Sequence, residues 1–206
     1  DDAPPMTAIT LATEDELSEA VGRRLLLDSG VAIGQLLRRR GFGYLRSRMP
    51  NFCEMASRVP VVVLTALDAA ACPSSLIRDW LDGRPQPDGL ILRVAVREIE
   101  AWLLADHEGL SALFNRTKSL KAPHQPDDVA DPKRELLRLA EKHAPKDVRL
   151  DLVPGKGTEA RQGLGYNDRL CPWVRDVWDP GAARRRSPSL DRAMLRLEAL
   201  AASLRA

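Results

Sequence analysis

The sequence predicts an α/β fold, with a mostly parallel sheet flanked by helices and a helical C-terminal extension. Three observations carry this. TAITLAT (7–13), VPVVVLTALD (59–68) and LILRVAV (90–96) are short runs too apolar or too β-branched to face water. Helix-patterned segments separate them, as strands in a parallel sheet require. Past Asn115 such runs stop, and polar, proline-bearing connections alternate with amphipathic segments.

Each element follows from its residues. The first strand, 7–13, leads into EDELSEAVGRRLLLDSG, a helix with acids in its first turn and Gly30 beyond its end. VAIGQLLRRRG is ambiguous between strand and helix, GFGYLRSR reads as an irregular basic loop, and PNFCEMASR as a short helix with Pro50 near its start. The second confident strand ends in Asp68, CPSS opens a helix over 74–82, and after GRPQPDG the third strand runs into one helix, REIEAWLLADHEGLSALF. Residues 7–115 form the α/β core. Residues 116–206 are a helical and loop-rich part packed on it: DPKRELLRLAEKHAP and DRLCPWVRDVW are helices, VPGKGTEARQGLGYN is a loop, and SPSLDRAMLRLEALAASLR is a long helix capped by Ser187 or Ser189.

The bulk numbers exclude several classes. With 206 residues and 44% hydrophobic content, the chain is expected to fold around a substantial core. Three cysteines without a CxxC pairing support neither a disulfide framework nor a zinc site, which suits a reducing cytoplasm. No apolar run reaches the ~18–20 residues needed to cross a bilayer, and the start lacks a signal-peptide pattern, so no membrane role is expected. DDAPP, ahead of Met6, is set outside the predicted fold.

Function is sought at the carboxyl ends of the strands, because ligands of doubly wound sheets bind there. Glu14 and Asp68 both fall at that edge. If their strands are neighbours the two carboxylates converge, a natural place for a hard divalent cation, and Glu98 or Glu100 beyond the third strand could join them. Residues two apart on a helix point in different directions, so only one of that last pair is expected to face the crevice. The competing reading is helix chemistry: Glu14, Asp15 and Glu16 suit the macrodipole, and Asp68 could cap the CPSS helix, although Ser74 and Ser75 compete for that role.

The succession TAITLATEDELSEA, VVVLTALD, AVREIEAWLLAD resembles a Toprim domain, the magnesium-binding module of topoisomerases, primases and the overcoming-lysogenization-defect nucleases. It is most similar to the small stand-alone Toprim-like proteins encoded beside ABC-type ATPases in bacterial defence clusters, and SPSLDRA adds to that narrower likeness. The resemblance covers roughly residues 7–110. It implies that Glu14 matches the family's glutamate, a general acid/base or metal ligand, and Asp68 the second aspartate of its DxD pair. It implies Mg2+ or Mn2+ as cofactor, DNA or RNA as substrate, and an ABC-type ATPase as partner. The first aspartate of the pair is Ala66 here. An engineered change, a naturally inactive member, and a site in which Glu98 or Glu100 substitutes all remain open; Glu100 joins Glu14 and Asp68 as the expected ligand set.

Basic segments supply candidate nucleic-acid contacts. RRRGFGYLRSR (38–48) holds five arginines and no acid, which points to Arg39, Arg40, Arg46 and Arg48 as phosphate contacts, with Phe42 and Tyr44 as stacking groups. A solvated basic loop is the alternative. Lys156, flanked by glycines in VPGKGTEARQG, is a further catalytic candidate by the same resemblance, against the commoner reading of a surface lysine; the Walker spacing is absent. The alternative function is a catalytically silent binding or regulatory subunit of an ABC-type ATPase complex, favoured by Ala66. Oligomerisation is compatible with either.

Overall fold

A computed structural model describes residues 8–39, 43–118 and 120–205. Four strands, β1 (Ile9–Thr13), β2 (Ile33–Arg38), β3 (Val61–Ala66) and β4 (Leu90–Ala95), form an all-parallel sheet in the order β2-β1-β3-β4. The expected α/β architecture is therefore observed. The ambiguous VAIGQLLRRRG segment supplies the edge strand β2.

The strand order explains the layering. The chain leaves β1 for one neighbour through α1 (Glu16–Asp28), then returns across β1 through α2 (Tyr44–Met55) to β3 and on through α3 (Pro73–Trp80) to β4. Because crossovers are right-handed, reversing direction moves the connecting helix to the other face. The packing agrees. Leu17, Val21 and Leu25 of α1 share a core with Leu11, Val62, Leu64 and Ile91, whereas Leu45, Met49 and Phe52 of α2 pack with Ala12, Val61, Val63, Leu90 and Leu92. The alternation of neighbouring strand residues between the two clusters is the period-two pleat of a sheet covered on both sides.

Two expectations are corrected. GFGYLRSR is not wholly a loop: α2 begins at Tyr44, left-handed Gly43 precedes it, and Pro50 lies inside the helix. REIEAWLLADHEGLSALF is two helices, α4 (Ile99–Leu104) and α5 (His107–Leu113), because buried Asp106 accepts the Gly109 amide at 2.9 Å and starts a new helix.

The C-terminal part comprises α6 (Pro132–His143), α7 (Lys146–Leu152), α8 (Tyr166–Asp176), α9 (Pro180–Ala183) and α10 (Pro188–Arg205). The short α7 has no counterpart in the sequence reading. Ser187 caps α10, accepting the Leu190 amide at 3.3 Å. Leu170, Val174, Leu190, Ala193 and Leu197 continue the core formed by α1 and the sheet, so one apolar cluster runs through both parts of the chain. Among the described residues no helix is long and apolar enough to cross a membrane.

Candidate functional site

The crossovers diverge between β1 and β3, which makes the carboxyl ends of those two strands the topological switch point of the sheet. A cleft of about 260 Å³ opens there. Glu14 and Asp15 enter it from beyond β1, Ala66 and Asp68 from β3, and Glu98 and Glu100 from beyond β4. The C-terminal part closes the other side with Lys133 of α6, Arg161 and Gln162 of the loop before α8, and Tyr166 and Asn167 of α8.

Helix capping separates the acids by role. Asp15 caps α1, its carboxylate accepting the Ser18 amide at 2.7 Å, which leaves Glu14 outside the capping hydrogen bond. The cap of α3 is Cys72, whose sulfur accepts the Ser75 amide while the Ser75 hydroxyl accepts the Cys72 amide. Neither Asp68 nor the Ser74 hydroxyl fills that role. Asp68 instead stands one residue past buried Leu67 with φ of 49°, a left-handed conformation that Asp adopts more readily than most residues. Its amide donates to the Arg97 carbonyl at 2.9 Å, and the Arg97 guanidinium donates back to the Asp68 carbonyl at 3.1 Å. The carboxylate is thus held at the end of β3 through its backbone.

Both strand-end acids are pushed towards their neutral forms. Burial raises the Glu14 carboxyl above its ordinary value, and the charges of Asp68 and Asp15 raise it further. Burial also raises Asp68, opposed by Arg161 and Lys133 and assisted by Asp15. Asp68 remains exposed at the rim, where water screens it, so the effect on Glu14 is the firmer of the two.

Glu98 and Glu100 both reach the cleft, which corrects the expectation that only one could. Glu98 lies just ahead of α4, and the extended backbone there aims it differently from a helical residue. Each already has partners. Glu98 Oε2 accepts the Lys133 amide at 3.0 Å, and burial raises its carboxyl against that hydrogen bond. Buried Glu100 accepts the Tyr166 hydroxyl at 2.7 Å and faces Lys133 Nζ at 3.4 Å.

The basic candidates are placed differently. Lys156 lies exposed on a turn and does not line this cleft; Arg161, farther along the same loop, does. Gly163 lets that loop close on α7: its amide donates to Leu152 O at 2.7 Å, and a Cβ there would clash with the Asp151 carbonyl. Arg39, Arg46 and Arg48 are exposed, with Arg46 paired to Asp79 at 3.0 Å. Residues 39 and 46 follow the end of β2 and so lie towards the same sheet edge as the cleft. Arg40 and Phe42 lie outside the described residues.

Lys133, Arg161 and Tyr166 were not singled out in the sequence. A second, larger cavity of about 630 Å³ lies between α1 and α8. It adjoins the cleft at Asn167, whose amide donates to Glu16 at 3.0 Å.

Among the described residues no three or more His, Cys, Asp or Glu side chains form a group able to hold a metal ion. Magnesium does not require one, since one or two carboxylates with substrate phosphate oxygens and water complete its shell. Glu14 and Asp68 fit that donor set: two acids lining one cleft, with Glu14 raised by burial first and then by the charge of Asp68. No family model, curated protein or solved structure matches the chain.

Proposed function

We propose that the chain is a magnesium- or manganese-dependent nuclease of Toprim-like type, acting on DNA or RNA at the switch-point cleft. The observation that carries this reading is the meeting of Glu14 and Asp68, from the ends of the two central strands, in a cleft that also holds Lys133 and Arg161. Carboxylates beside cations suit a phosphodiester, which needs its oxygens neutralised and a proton moved. Glu14 and Asp68 would hold the cation, which when bound supplies positive charge to the phosphoryl oxygens. Where Asp68 and the substrate hold the cation without Glu14, Glu14 is suited instead to accept a proton from attacking water, and Arg161 to contact a phosphate oxygen. The P–O bond to water forms as the bond to the departing oxygen breaks. The resemblance extends the proposal to an ABC-type ATPase partner and a setting in defence against phage.

A second reading is favoured by one observation. Ala66 lines the cleft where the resemblance expects an aspartate, so the chain can instead be a silent binding subunit. The discriminating assay incubates DNA and RNA with magnesium or manganese and the unaltered chain, Ala66→Asp, or Ala66→Asp with Glu14→Ala. Cleavage gained by the first change and lost with the second supports a weakened nuclease. No cleavage by any form, with the ATPase partner present, overturns the enzyme reading.

A further inference from the structure

The partners of Glu98 and Glu100 converge on one residue. Lys133 is fixed twice, its amide to Glu98 at 3.0 Å and its ammonium to Glu100 at 3.4 Å. Tyr166 fixes it a third time: the ammonium lies 5.1 Å from the ring centre, and the hydroxyl of the same ring holds Glu100 at 2.7 Å. Tyr166 and Glu100 are buried, whereas the Lys133 side chain remains 26% exposed. A largely buried frame thus holds a cationic side chain that lines the cleft and keeps part of its surface exposed. Its charge reaches the far wall, since Lys133 and Arg161 both act on the Asp68 carboxyl.

We propose that Lys133 and Arg161 form a phosphate-binding subsite in the cleft, and that Glu98, Glu100 and Tyr166 are positioning residues for Lys133 rather than metal ligands. The ligand class is a nucleic-acid phosphodiester. The inference rests on the nucleic-acid reading of the cleft but not on cleavage or on a metal. The amide bond fixes the Lys133 backbone, and the two side-chain contacts, to Glu100 and to the Tyr166 ring, remove much of the rotamer freedom that a lysine loses on binding, so the ammonium meets a phosphate oxygen already oriented. This accounts for an ExE pair whose members both face the cleft yet already have partners.

The test is binding of a fluorescein-labelled single-stranded oligonucleotide to the full chain in EDTA at low salt, followed by anisotropy, with DNA and RNA probes run separately. Metal chemistry is silent under these conditions. Expected results are tenfold or greater weakening by Lys133→Gln, retention within about threefold by Lys133→Arg, and about threefold weakening by Tyr166→Phe. Tyr166→Phe made in the Lys133→Gln background should weaken binding no further, because a residue that only positions Lys133 has nothing left to position. Equal losses in both backgrounds would overturn the positioning role. Wild-type affinity in Lys133→Gln, or no binding of either probe by the unaltered chain, would overturn the subsite. Lys133-dependent binding without cleavage under any metal would instead retire the nuclease reading and leave the subsite standing.

Discussion

Tyr166, in the first turn of α8, donates its hydroxyl to Glu100 Oε1 at 2.7 Å across 66 residues of chain, and both residues are buried. This bond ties the C-terminal part to the helix that follows β4. Tyr166→Phe keeps the ring and removes only the donor, leaving a buried carboxylate short of a hydrogen bond. The expected loss is about 1–3 kcal/mol, read by urea unfolding at pH 7. Unfolding at an unchanged midpoint and slope would mean that the bond contributes nothing to stability.

Glu14 and Asp68 predict a pH dependence. Each has a folded-state carboxyl raised above its ordinary value, 4.5 for Glu14 and 3.8 for Asp68. Their contribution is therefore most favourable below those values and is lost as pH rises through the higher folded-state values. Glu14→Gln and Asp68→Asn remove the penalty of ionisation, and Asn tolerates the left-handed backbone at position 68. Both variants should melt higher than the unaltered chain at pH 7 in EDTA, with the advantage shrinking as pH falls towards 4. Lower melting temperatures at pH 7 would show that the two charges are already satisfied.

What the sequence disclosed follows the range of the interactions. Strand-end acids are local features: Glu14 and Asp68 each sit just past a β-branched or apolar run, and the parallel order brings them together. Lys133, Arg161 and Tyr166 left no such trace. They come from a helix start, a glycine loop and a second helix start, and only tertiary packing delivers them to the cleft. Glu100 illustrates the difference, since its place near the site was legible while its engagement by Tyr166 was not. The break between α4 and α5 depended on Asp106, which reads as an ordinary acid in an amphipathic run but caps α5 and also accepts the Asp179 amide at 2.8 Å.

The α2 arginines predict a salt effect. Arg46 and Arg48 are exposed, and Arg46 has one rim partner in Asp79, which a phosphate can displace at little cost. If both contact a single-stranded probe, Arg46→Ala with Arg48→Ala should reduce the slope of log affinity against log salt by about 1.4. An unaltered slope would assign these residues to solvation and leave nucleic-acid binding to the cleft.

The division of the chain can be tested at Ser189. Its hydroxyl accepts the indole N–H of fully buried Trp102 at 2.8 Å, joining α10 to α4. Ser189→Ala leaves that donor buried without this acceptor and should lower stability by about 1–3 kcal/mol in urea unfolding. Removing residues 187–206 should have a larger effect, exposing Trp102 and the apolar face of the sheet. That truncated chain is expected to bind a hydrophobic dye and to lose its cooperative transition. A cooperative melt without dye binding would mean that the α/β core is complete without α10.

Ala66→Asp tests the cleft as a cation site without any assay of activity. Ala66 lies on the same face of β3 as Val62 and Leu64 and lines the cleft with Glu14 and Asp68, so an aspartate there adds a further negative charge beside those two. Without metal, that charge should raise Glu14 further and lower the melting temperature at pH 7. With magnesium in large excess, it should be offset by binding, because a ligand that prefers the folded state stabilises by RT ln(1 + [L]/Kd). A tenfold gain in affinity then appears as about 1.4 kcal/mol of additional stabilisation relative to the unaltered chain. Calorimetric melts in EDTA and in magnesium, for both proteins, read the difference directly. An identical magnesium-induced shift would mean that position 66 does not face the cation, and Ala66 would no longer count as a missing ligand.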